Sequence, residues 1–105
     1  MSAARARAYR IAFAYIATSD VEINVDRIRS RVATGGHDVP ETDVRRRYTR
    51  SLDRAGEALA FADYAFLYDN SGRAMRLIAA RDERGSRVER DVPPWAMALV
   101  ECVLR

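Results

Sequence analysis

The chain has 105 residues and a net charge of +3, from 18 arginines, no lysine and 15 acidic residues. That length suits one compact domain and not two, and 49% hydrophobic with 31% charged residues excludes a disordered polymer. Acids interleaved with the arginines argue against a general polyanion-binding tail and for local anion sites, and the single Cys102 excludes an internal disulfide or a cysteine-based zinc cluster.

From the N-terminus, ARARAYRIAFAYIA places Arg5, Arg7 and Arg10 before an apolar run, in outline like a signal peptide. The run from Ile11 to Ala17 is short for one, and TSDVE follows it in place of a small-residue cleavage site. No segment is long enough to span a bilayer, so the expectation is a soluble, cytoplasmic protein. Tyr9 to Ala17 instead reads as a buried strand. Ser19 and Glu22 have the spacing of a capping box and open a helix with Val21, Val25, Ile28 and Val32 on one face. Asn24, Arg27 and Arg31 fall on another face, and Gly35-Gly36 ends the helix.

Pro40 restarts a helix, with Glu41 and Asp43 at the positive end of its dipole. Val44, Tyr48, Leu52, Ala55 and Leu59 form its apolar stripe, while Arg47, Arg50 and Arg54 share a polar face. Gly56 predicts a bend or break near Asp53 to Gly56. Tyr64 to Asp69 reads as a second buried strand, with Tyr64, Phe66 and Tyr68 as its core-facing side, closed by a turn at Asn70-Ser71-Gly72. MRLIAARDERGSRVERD gives a strand, a turn at Asp82 to Ser86 and a short ragged strand. Asp91 then caps a last helix through Pro93-Pro94, with Trp95, Leu99, Val100 and Val103 inward. Apolar strands joined through helices imply a parallel crossover and an α/β sheet covered by helices.

The arginines carry the strongest chemical signal. A guanidinium is planar, forked and permanently charged, so it suits phosphate and carboxylate and cannot serve as a proton carrier. Arg46 or Arg47 can act together with Arg50 on one helix, and Arg27 and Arg31 can approach the same space across the glycine turn. Converging arginines would hold a polyphosphate through charge-assisted bonds. The plainer alternative is a solvated face with ion pairs to Glu41, Asp43 and Asp53. His37 has no second histidine or cysteine near it, so no metal site is expected, and its expected work is hydrogen bonding that fixes the turn. Ser19, Ser51 and Ser71 have no His/Asp partners that would make a nucleophile.

RVATGGHDVPETDVRRRYTRSL (Arg31 to Leu52), followed by ALAFADYAFLYDNSG, resembles the C-terminal part of the zeta-toxin-like P-loop kinases. The family pattern there is an arginine helix, G-G-H-D-V-P, R-R-Y-x-R-S-L and a strand ending Y-D-N-S. The similarity runs from about Ile11 to Leu77. It implies a partial P-loop-kinase-like parallel sheet with flanking helices and a helical lid hairpin over about residues 21–62, all within a single domain. It also implies ATP with Mg²⁺, phosphorylation of UDP-N-acetylglucosamine or a similar small molecule, and a toxin–antitoxin setting. Carried over by motif, Arg31, Arg47 and Arg50 face phosphate, Asp69 and Asn70 lie near the nucleotide, and Gly35, Gly36, His37 and Asp38 form the lid turn.

The family's phosphate loop, G-x-x-x-x-G-K-[ST], belongs to an N-terminal half, whereas only MSAARARA precedes Tyr9 and the 105 residues contain no lysine. The expectation is therefore a lid-bearing portion of such a kinase, separated from its P-loop half and inactive alone. Its partners would be a nucleotide or nucleotide-sugar, an N-terminal kinase half or an antitoxin, with no membrane. The alternative is a small arginine-rich polyanion-binding or interaction module, against which the interleaved acids count for nucleic acid.

Overall fold

A computed structural model describes residues 9–104 of the chain, so Arg5 and Arg7 of the N-terminal run lie outside the described residues. Strand β1 (Ala12–Ala17) leads to helix α1 (Val21–Ala33) and helix α2 (Glu41–Phe61). Strands β2 (Tyr64–Asp69), β3 (Arg76–Asp82) and β4 (Gly85–Val88) follow, and a 3₁₀ turn (Pro94–Ala96) runs into helix α3 (Met97–Val103).

The sheet order is β1-β2-β3-β4. Only β1 and β2 are parallel, in register from Ala12 opposite Tyr64 to Ala17 opposite Asp69. The other two pairs are antiparallel, so the expected parallel sheet is a mixed one. Connection length explains the difference. A parallel pair needs a long crossover, which the two helices supply. The bend after Asp69 and the turn before Gly85 are too short to do more than reverse the chain, and Gly85 takes the positive φ of 109° that this reversal demands.

Small side chains decide which face of the sheet the helices cover. Ala65, Leu67, Ile78 and Ala79 form a buried cluster with Ala55 and Leu59 of α2 and Leu99, Val100 and Val103 of α3. Phe13 and Tyr15 of β1 flank it. Tyr64, Phe66 and Tyr68, expected to face the core, instead lie half-buried on the opposite face, outside that cluster. The alanines let the helix backbones come close, which the aromatic rings would prevent. Helix α1 packs mainly on α2, which itself lies on β1 and β2.

Three local expectations need correction. The cap of α1 is Asp20, whose carboxylate accepts from the Glu22 N–H at 3.0 Å, while the Ser19 N–H donates to Ser71 Oγ at 2.7 Å. Asp91 does not cap α3, which has no side-chain cap. It takes a left-handed φ of 58°, and its carbonyl accepts from Arg76. Helix α2 runs unbroken through Gly56. A Cβ there would sit 3.2 Å from Cys102 Sγ and 3.7 Å from Leu99 Cδ2, so the glycine lets α3 lie close and marks a helix contact, not a bend. Gly56→Val is therefore expected to lower unfolding free energy by about 1–3 kcal/mol through overpacking, read from the urea midpoint.

Candidate functional site: an arginine cleft under the helical hairpin

The end of α1 is built by its glycines. Gly35, at φ 98°, donates its N–H to the Val32 carbonyl, and the Gly36 N–H donates to that of Arg31 at 2.7 Å. This paired closure satisfies the last carbonyls of the helix and turns the chain back toward Pro40. The turn is closed by backbone bonds, and His37, exposed beside an exposed Asp38, forms no side-chain hydrogen bond among the described residues. Pro40 is the N-cap residue of α2, with its carbonyl accepting from Asp43 and Val44.

Ion pairs sort the arginines into two sets. Arg45 bridges Glu22 of α1 and Glu41 of α2 at 2.5 and 2.6 Å, and Arg29 reaches Glu41 at 3.1 Å. Together they strap the two helices on the outer side. The Arg45 guanidinium, hydrogen-bonded to Glu41, holds that carboxyl below its ordinary range. Arg46 pairs with Asp43 on its own helix. The guanidinium groups of Arg31, Arg47 and Arg50 form no hydrogen bond or ion pair among the described residues. The acids expected to neutralise this face take Arg45 and Arg46 and leave those three cations free; Asp53 takes no part.

Two of these three arginines, Arg31 of α1 and Arg47 of α2, line one cleft of about 400 Å³ with Tyr15, Asn24, Tyr48 and Ser51. Arg50, one turn further along α2, does not line it, so of the three arginines expected to face phosphate the cleft holds Arg31 and Arg47. An adjoining hollow of about 210 Å³ brings Arg27 and Asn70 to the same Arg31 and Asn24. A neighbouring cleft, which shares Ile28, Val39 and Val44 with the first and adds Val25 and Val32, has its Arg29 and Glu41 already paired.

The loop after β2 is stitched to this end of the sheet. The Asp69 carboxylate accepts from the Ser71 N–H at 3.0 Å and from the Ser71 hydroxyl at 2.5 Å. The Asn70 N–H donates to the Ala17 carbonyl at 2.8 Å, and Arg27 reaches the Gly72 carbonyl at 3.3 Å. Asp69 therefore shapes the loop, while Asn70 borders the hollow. No three metal-ligating side chains cluster among the described residues.

Tyr48 was legible only as part of an apolar stripe, yet its hydroxyl donates to the Thr18 carbonyl at 2.7 Å and ties α2 to the end of β1. Thr18 is itself buried and bonded to Asn24, which fixes the floor of the cleft. Burial pushes the phenols of Tyr15 and Tyr48 up from their ordinary value, with a Ser51 hydrogen bond opposing the shift at Tyr15. Both phenols stay neutral donors near neutral pH. A raised folded-state value means that the unfolded chain loses these protons first as pH rises. Their contribution is therefore complete below the ordinary phenol value of about 10 and is lost as pH climbs through the raised folded values. Tyr48→Phe is expected to cost about 1 kcal/mol at pH 7 and to flatten the alkaline fall in stability, measured by urea titration from pH 8 to 11.

No helix of the described residues is long and apolar enough to cross a membrane. Compared with protein-family models, with curated proteins and with solved structures, the chain matches none.

Proposed function

We propose that the chain is the lid-bearing portion of a zeta-toxin-like, ATP-dependent small-molecule kinase, and that its own contribution is to hold phosphate oxygens in the hairpin cleft. One observation carries this reading. Arg31 and Arg47, on different helices and both without an acidic partner, line the same cleft. In phosphoryl transfer the protein's work is mostly positioning and charge neutralisation, and two guanidinium forks along one cleft suit both.

The side chains present fit a phosphate better than Mg²⁺. No carboxylate lines the cleft or the hollow among the described residues, and Asp69, next to Asn70, is committed to Ser71 and lies 3.9 Å from Arg76. No lysine exists to contact the terminal phosphates. The arginines orient and neutralise phosphate, Tyr48 and Asn24 hold the floor, and the chain alone performs no transfer. A polyphosphate such as ATP is expected to bind the purified chain weakly and with strong salt dependence. Turnover of UDP-N-acetylglucosamine by the chain alone should be absent. Undiminished ATP binding in an Arg31→Ala/Arg47→Ala protein would remove the reading.

A further inference from the structure

The two outer strands of the sheet are guarded differently. β4 is four residues long, and charges crowd it: Glu83 and Arg84 before, Arg87 within, Glu89 and Arg90 after. Such charges discourage pairing with another strand. β1 carries no charge anywhere from Ile11 to Thr18, and Ile16 is 49% exposed on it.

The backbone of β1 is half used. The Ile11 carbonyl accepts from the Tyr64 N–H at 3.0 Å and the Ala17 carbonyl from the Asn70 N–H at 2.8 Å, so the odd-numbered residues face β2. By the alternation of a strand, Ala12, Ala14 and Ile16 direct their N–H and C=O groups to the other edge, which no strand covers among the described residues. Their side chains lie on the sheet face away from the core cluster, and all three residues are exposed.

We propose that this edge pairs with the same edge of a second copy of the chain, antiparallel, about a two-fold axis through Ala14. In that register Ala14 faces Ala14 and each Ile16 faces the other copy's Ala12, so every opposed pair joins two outward-directed residues. About six backbone hydrogen bonds form without disturbing those to β2. The large Ile16 meets the small Ala12, and core face continues into core face. Charge favours this direction over the parallel one. Antiparallel pairing carries exposed Arg10, just before the strand, toward the end where the other copy turns through exposed Asp20. Parallel pairing would set arginine beside arginine. A two-fold contact also closes on itself and leaves no β1 edge for a third copy.

The test is light scattering of the purified chain over a concentration series, with amide exchange followed by NMR. The expected result is a concentration-dependent dimer in which the Ala12, Ala14 and Ile16 amides gain protection as the dimer fills. Ala14→Pro removes an outward N–H and none that faces β2, and is expected to weaken dimerisation at least about tenfold. Should the proline unfold the strand, Ala14→Arg keeps the N–H and places like charges together on the axis, with the same expected loss. A monomer at all concentrations, or a dimer indifferent to Ala14→Arg, overturns the proposal; the monomer would leave the edge to a strand of different sequence. Ala14 does not line the arginine cleft but Ile16 of the same edge does, so ATP binding by the uncharged Ala14→Pro variant and by the wild type diluted to monomer reports on the kinase reading separately.

Discussion

Replacing Arg81 with methionine is expected to lower the unfolding free energy by about 3 kcal/mol, a large share of the stability of a domain this size. Arg81 lies on β3, opposite Ala65, on the face that meets the helices. Its guanidinium donates to the carbonyls of Leu59 and Ala62 at 2.7 and 2.5 Å, and to those of Cys102 and Val103 at 3.2 and 2.6 Å. Those four oxygens belong to the C-terminal ends of α2 and α3, where the last carbonyls have no partner within the helix and the dipole is negative. One fixed cation thus satisfies two helix ends and pins both to the sheet. Methionine keeps much of the stem's packing and removes the donors, so the loss measures the bonds. Lysine is expected to recover less than half of it, because a single ammonium cannot reach four acceptors with the spread of a guanidinium. A change in unfolding free energy below about 0.5 kcal/mol for Arg81→Met, read from urea titration, would show that water replaces these bonds freely.

Arg81 also shows what pattern reading catches and misses. Within RLIAARD an arginine reads as the polar end of a strand, yet its position opposite Ala65 puts it on the buried face. The signal was a cation at core-face parity, and its meaning depended on two helix ends from distant parts of the chain. The strand of Tyr64 to Asp69, the glycine stop of α1 and the apolar stripe of α2 were legible because periodicity and local dihedral demands set them. The core-facing side of β2 was misread because aromatic size suggests burial, whereas close helix packing favours Ala65 and Leu67. Gly56 was read as a helix breaker for the same reason: its use, a close approach by Cys102 and Leu99, lies on another element. At the site, helical spacing suggested Arg46 or Arg47 with Arg50 and left Arg27 and Arg31 open across the glycine turn, and only the fold could set Arg31 with Arg47 along one cleft.

That choice gives the sharpest functional expectation. Arg31→Ala and Arg47→Ala should each weaken ATP binding about tenfold, and Arg50→Ala less than about twofold. Charge alone does not separate these three, since each removes one positive charge from the same hairpin and none breaks an ion pair. Position separates them: Arg31 and Arg47 line the cleft and Arg50 does not. The cleft is open, so the bonds form partly in water and the effect stays well below that of a buried charge pair. The double variant should lose less than the product of the single effects if both guanidinium groups grip one phosphate, because removing either lets the ligand shift toward the other. Raising salt from about 0.05 to 0.5 M should erase most of the difference between wild type and the single variants, as screening shortens the reach of each charge to a few ångströms. Equal losses from Arg31→Ala and Arg50→Ala would mean that ATP responds to the general charge of the hairpin, and the cleft would lose its claim to be a site.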